Sequence, residues 1–126
     1  MSILKSAVIA ATLLLAAPAF AGSEHDHKPK HGGVVEEVKE VQYELVAKPD
    51  SIVIFVEDHG KKVDTKGATA KVTLLSGKDK SEATLTPAGD NKLEAKGQFK
   101  VGKGTKVVAV VTLAGKPASS VRFTLK

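Results

Sequence analysis

Recurrence of apolar residues at every second position is the feature that most limits what this chain can fold into. It is clearest in two runs near the carboxyl end, which contain Val107, Ala109, Val111 and Leu113, and then Val121, Phe123 and Leu125. A period of two is typical of strands that turn one face to a core and the other to solvent. The pattern therefore predicts β-structure rather than helix.

Turn residues, mostly glycine-bearing, divide the rest of the chain into short segments of the same kind. Strands are predicted at residues 34–40 (as an edge strand), 41–48, 52–57, 68–75, 83–87, 92–99, 106–113 and 119–125. Segment 52–57 is apolar on both faces, which makes it the best candidate for the centre of a core. Seven or eight short strands separated by regular turns predict an all-β fold, an antiparallel β-sandwich of the immunoglobulin-like type.

The first 21 residues have the pattern of a cleaved export signal. Lys5 precedes an apolar run at 7–16, and Ala19 and Ala21 form a small-x-small cleavage site. The run is shorter than the roughly 20 residues of a membrane span, and no cysteine follows it to carry a lipid. We expect a signal peptide at 1–21, a flexible histidine-bearing tail at 22–30 and the β-sandwich domain at 31–126, released into the periplasm without membrane insertion.

Composition narrows the possible chemistry. The sequence has no cysteine, and its single methionine is the initiator, so thiol and disulfide chemistry are excluded from the exported chain. Cu(I), which prefers sulfur ligands, is disfavoured for the same reason. The net charge of +5 comes from lysines interleaved with acidic residues. It therefore indicates a solvated surface, and a nucleic-acid partner is not expected.

The four histidines are confined to two places. His25, His27 and His31 precede the first predicted strand, and His59 lies in a turn. Imidazole is a common ligand for Cu(II) and Zn(II), and an extended His-x-His pair places both rings on one side of the chain. We therefore predict a divalent metal site at these four residues. Adventitious binding by the tail and a turn role for His31 remain open alternatives, and for His59 a solvated turn is favoured.

Catalytic patterns are missing from the sequence. It contains no Gly-x-Ser-x-Gly elbow, no His-Glu-x-x-His pair and no phosphate-binding glycine loop. The neighbouring carboxylates at 36–37 and 57–58 fall in predicted strands, where adjacent side chains point to opposite faces. We expect a binding or interaction module and not an enzyme.

Several short segments together resemble a known group of proteins. They are His31-Gly32-Gly33-Val34-Val35, Tyr43-Glu44-Leu45-Val46, residues 52–56 with Asp58-His59-Gly60-Lys61, Thr65-Lys66-Gly67-Ala68, Thr73-Leu74-Leu75 and Val121-Arg122-Phe123. The chain resembles small periplasmic proteins associated with heavy-metal efflux, and it is similar to the amino-terminal β domain of some periplasmic adaptors of cation-exporting resistance-nodulation-division pumps. The resemblance implies a β-sandwich in metal homeostasis, with His31 and His59 as its carried-over residues. Without the other adaptor domains, we expect that the chain does not bridge a pump and a channel.

Two functions follow as expectations. The first is reversible binding of Cu(II) or Zn(II), which the protein buffers or presents to components of a periplasmic efflux complex, and which weakens as imidazoles protonate below about pH 6. The second is a protein-interaction domain that offers the edge strand at 34–40 to a partner, with incidental histidines.

Overall fold

The computed structural model describes residues 28–126, which form an antiparallel β-structure joined by turns and loops. In this part of the chain nine strands follow one another: β1 (Val34–Val38), β2 (Val41–Lys48), β3 (Ser51–Asp58), β4 (Lys61–Lys62), β5 (Thr69–Ser76), β6 (Asp79–Pro87), β7 (Lys92–Lys96), β8 (Lys106–Thr112) and β9 (Ser119–Thr124). All strand pairs are antiparallel. The predicted all-β, antiparallel class is therefore confirmed. Within this range no helix is long and apolar enough to cross a membrane.

The strands form one continuous path in the order β1-β2-β3-β7-β6-β5-β8-β9, and β4 pairs with β3. Strand β6 makes the path continuous because it has two neighbours. It pairs with β5 as far as Leu85 and with β7 at Thr86 and Pro87. At the two ends of the path, β1 contacts β9. The sheet is therefore curled until it is nearly barrel-shaped.

A single hydrophobic core fills the inside of this sheet. Strand β3 contributes Ile52, Ile54 and Val56, all with 0% exposure. It pairs with β2 on one side and with β7 on the other, which confirms the prediction that this segment lies at the centre of the core. The inward positions predicted for the carboxyl-terminal strands are also buried, namely Val107, Ala109, Val111, Leu113, Val121 and Phe123. The predicted inward residue Leu125 is only partly buried.

Three strand boundaries differ from the predictions by two or more residues. Strand β6 begins at Asp79 rather than at 83. The prediction missed its first half because that half is polar and has no alternating apolar residues. Strand β7 ends at Lys96 rather than at 99. Beyond it, the N–H groups of Gly97 and Phe99 donate to the carbonyls of Asp50 and Pro49. Strand β1 ends at Val38 because the next two residues form the turn to β2.

Candidate functional site

The segment that precedes β1 folds back onto the outer face of β2 and surrounds one carboxylate. The backbone N–H groups of Lys30, His31 and Gly33 donate to the Glu44 oxygens at 3.0, 2.8 and 2.9 Å. We call residues 30–33 the anchor loop. Because the loop covers it, Glu44 is only 6% exposed although it lies on the outward side of its strand.

The His31 side chain completes this arrangement. Its Nδ1 lies 2.9 Å from Oε1 of Glu44. Its ring stacks on Phe55, with 3.7 Å between ring centroids and an interplanar angle of 5°. Glu44 and Phe55 are directly paired across β2 and β3, so they stand side by side on one face of the sheet. The hairpin formed by β2 and β3 therefore fixes the ring through one hydrogen bond and one flat surface.

The two glycines after His31 explain why the loop can approach β2 so closely. Gly32 has a φ of 78°, in the left-handed region that side chains rarely adopt. A Cβ at Gly33 would lie 2.1 Å from the carbonyl oxygen of Leu45, which leaves no room for any side chain. The His-Gly-Gly sequence is therefore a local requirement of the anchor loop, and it lets the imidazole lie against Glu44 of β2 and Phe55 of β3.

The charge of Glu44 decides which ring nitrogen of His31 carries a proton. Burial raises the pKa of Glu44, but hydrogen bonds from the His31 side chain and from the backbone N–H groups of Gly33, His31 and Lys30 outweigh burial, and the pKa is lowered overall. Glu44 is thus a carboxylate at neutral pH, and a carboxylate only accepts hydrogen bonds. Nδ1 of His31 must be the donor, so in the neutral ring Nε2 bears the free lone pair.

Charged neighbours of the site compensate one another. The Lys30 ammonium lies 2.9 Å from Oε1 of Glu57. Glu57 is on β3, two residues beyond Phe55 and therefore on the same face.

The side chain of His31 is 41% exposed. The ring is thus held on its Nδ1 side and along one face, while a large part of it stays accessible to solvent.

His59 lies elsewhere on the sheet. It occupies the turn between β3 and β4 with a φ of 53°. Its Nδ1 contacts the Asp58 carboxylate, and its Nε2 is 3.5 Å from Oε1 of Glu40. Along β3, Asp58 is three residues beyond Phe55, which corresponds to about 10 Å. The structure therefore does not bring His59 to the ring of His31.

The remaining predicted ligands, His25 and His27, lie outside the described residues. Within residues 28–126, no group of three or more His, Cys, Asp or Glu side chains is arranged to hold a metal ion. Of the two predicted ligands that the structure describes, His31 and His59, it is His31 that the fold anchors through a buried carboxylate.

Sequence reasoning missed Glu44 and Phe55. An acidic residue on the polar face of a strand is normally exposed to solvent. The alternation in β2 placed Glu44 on that face, so it was expected to be exposed. The available signal was the combination of two adjacent glycines after a histidine with an acidic residue in the second predicted strand, 41–48. Phe55 carried a second signal, since it is a large apolar residue on the outward face of β3.

Comparison of the chain with known proteins adds no assignment. No protein-family model matches it, and neither a curated protein nor a solved structure matches it. The geometry around His31 and Glu44 is therefore the basis on which a function is assigned.

Proposed function

We propose that this protein is exported to the periplasm and reversibly binds a divalent ion, Cu(II) or Zn(II), with Nε2 of His31 as its preorganised ligand. The observation that carries the proposal is the hydrogen bond between Nδ1 of His31 and the buried carboxylate of Glu44. Histidines that bind metals usually donate their other ring N–H to a carboxylate or carbonyl, which fixes the tautomer and raises the basicity of the coordinating nitrogen. The Glu44–His31 pair has this arrangement.

A single imidazole is too few for a specific site, so further ligands are required. His27 and His25 precede His31 by four and six residues in the sequence, which is within the reach of the chain. We propose that they supply the remaining nitrogens. Since the chain from Gly22 onward contains no sulfur, its donors are nitrogen and oxygen, which suit Cu(II) and Zn(II) better than Cu(I). His59 is left out of the proposed site because it lies at another turn.

The wider role follows from the resemblance to proteins of heavy-metal efflux. We propose that the protein buffers the ion or presents it to a periplasmic efflux partner, and that it performs no catalysis.

The proposed architecture is an immunoglobulin-like β-sandwich, with β1, β2, β3 and β7 in one layer and β5, β8 and β9 in the other. The two neighbours of β6 support this division, because they place that strand at the boundary between the layers.

Calorimetric titration of the chain from Gly22 onward with Zn(II) and with Cu(II) tests the proposal. We expect stoichiometric binding that His31→Ala weakens at least about tenfold, and that Glu44→Gln weakens by about 10- to 100-fold while His31 is retained. The double variant His25→Ala/His27→Ala should lose binding in the same way. In nitrogen-15 spectra of the histidine rings, the ion should move the Nε2 signal of His31 and not its Nδ1 signal.

His59→Ala is the matched control, since it removes an exposed imidazole away from the anchor loop. Its affinity should equal that of the unchanged protein. Equal affinity of the His31→Ala variant and the unchanged protein would overturn the proposal. So would an effect of His59→Ala as large as that of His31→Ala, because the site would then not be centred on the anchor loop.

A further inference from the structure

The two edges of the curled sheet meet without pairing. Strands β1 and β9 end the path of strands, and they contact each other. Within residues 28–126 no ladder of backbone hydrogen bonds joins them. Seven successive antiparallel pairings along the path make β9 run antiparallel to β1. Among the described residues, each of the two strands therefore has one edge that pairs with no neighbouring strand, and such edges readily pair with another chain.

A groove of about 710 Å³ lies along one end of this seam. Its lining includes Val34, Val35, Leu75, Val108 and Arg122. Leu75 is 41% exposed, which is unusual for a large apolar side chain in this molecule. The groove, which we call the seam groove, thus combines open strand edges with an apolar surface, as do sites that accept an extended peptide.

The charges around the seam groove favour an acidic occupant. Lys106, Arg122 and Lys126 line it, against Glu36 as the acidic residue of the lining. Arg122 is the only arginine of the sequence and is exposed, and none of the salt bridges within residues 28–126 involves it. Its planar guanidinium suits a carboxylate better than an ammonium does. A second copy of this chain is disfavoured, because the chain is basic and two copies would repel each other.

We propose that the seam groove binds an extended segment of a partner protein in which apolar and acidic side chains alternate. The segment adds a strand along the open edge of β1, and its backbone groups pair with those of residues 34–36. Its apolar side chains point inward beside Val34 and Phe123, which line the groove, and one of its outward carboxylates pairs with Arg122. Gly33 of the anchor loop lines the groove, but the proposed contacts use neither His31 nor Glu44, so the inference does not rest on the proposed metal function.

A synthetic octapeptide of alternating valine and glutamate, blocked at both ends, tests the inference. Titrated into nitrogen-15-labelled protein, it should saturably shift the amide signals of residues 34–36 and 122–124. Arg122→Glu should weaken its binding at least tenfold. Lys71→Glu is the matched control, because it makes the same change of charge on an exposed residue of β5 outside the groove, and it should weaken binding less than twofold.

Two further peptides separate strand addition from simple charge attraction. Replacing every glutamate by lysine should abolish binding. Methylating alternate backbone nitrogens removes the N–H groups along one edge of the peptide while its charge is unchanged, and this should weaken binding at least tenfold. Equal weakening by Arg122→Glu and Lys71→Glu would overturn the proposal. So would undiminished binding of the methylated peptide, or an absence of saturable shifts at the seam groove.

Discussion

Glu44 organises the candidate site at the scale of single residues. One carboxylate accepts hydrogen bonds from three backbone N–H groups and from the ring of His31. Hydrogen bonds to a charged acceptor are stronger than those between neutral groups, and backbone donors left unpaired by its loss become costly. The anchor loop has no regular secondary structure of its own. Glu44 therefore holds the loop at four hydrogen bonds, and the stacking of His31 on Phe55 and the Lys30–Glu57 salt bridge add to it.

Replacing Glu44 by glutamine should lower the free energy of unfolding by roughly 2–3 kcal/mol at neutral pH, because an amide NH₂ would face donors that now meet an oxygen. The pKa of Glu44 is lowered from its ordinary value of 4.5 in the folded protein. Its contribution is therefore fully present above pH 4.5 and is lost as the pH falls through the folded value. Urea unfolding of both proteins across this range measures the difference.

Glu36→Gln is the control for this comparison, since Glu36 is exposed on β1. It should change stability by less than about 0.5 kcal/mol at any pH. If Glu44→Gln behaves like Glu36→Gln, the carboxylate does not hold the anchor loop. If the difference between Glu44→Gln and the unchanged protein persists undiminished in acid, the charge of Glu44 is not its source.

At the scale of elements, the β1–β2 hairpin uses an unusual turn. Val38 pairs with Val41, which leaves Lys39 and Glu40 as a two-residue turn, and both have positive φ values of 53° and 69°. Two positive values match the type I′ turn that fits the twist of a hairpin, in which Asn-Gly is the preferred pair. In this left-handed conformation the Cβ atoms of lysine and glutamate crowd the backbone, and this strain is smaller for asparagine and absent for glycine.

Lys39→Asn/Glu40→Gly should therefore stabilise the protein by about 1 kcal/mol, since relief of left-handed strain exceeds the extra chain entropy that glycine loses on folding. In a domain of this size, that gain corresponds to a rise in Tm of roughly 4–8 °C. Thermal unfolding measures it. Lys48→Asn, at an exposed strand position with no positive φ, should give no gain. A double variant no more stable than that control would contradict the argument.

The sequence was sufficient to predict most strands because burial on one face imposes a period of two. The prediction failed at positions where burial on one face does not determine the residue type. Asp79 begins a polar half-strand with no apolar signal, and Phe99 continues the alternation although the chain has already left β7. Glu44 was missed for another reason, since its burial comes from a loop that approaches it from 11 to 14 residues earlier in the chain. Local patterns do not contain that information.

At the scale of the whole molecule, the strands differ in how many neighbours hold them. Strand β3 lies between β2 and β7, and β5 lies between β6 and β8, whereas β1 and β9 have one paired neighbour each within residues 28–126. The amides of interior strands are released only by large-scale opening, while those at an open edge exchange through local fluctuations. The path of strands therefore predicts a gradient of stability from the interior strands to the seam.

Amide hydrogen exchange should show this gradient. The amides of β3 and β5 should exchange most slowly, and the amides of β1 and β9 that face the seam should exchange at least about a hundredfold faster, which corresponds to roughly 3 kcal/mol of opening free energy. The amides of β1 that face β2 are the internal control, because they belong to the same strand and are paired. Equal protection on both sides of β1 would mean that β1 and β9 pair in solution. The sheet would then be a closed barrel, and the open edge on which the seam groove depends would not exist.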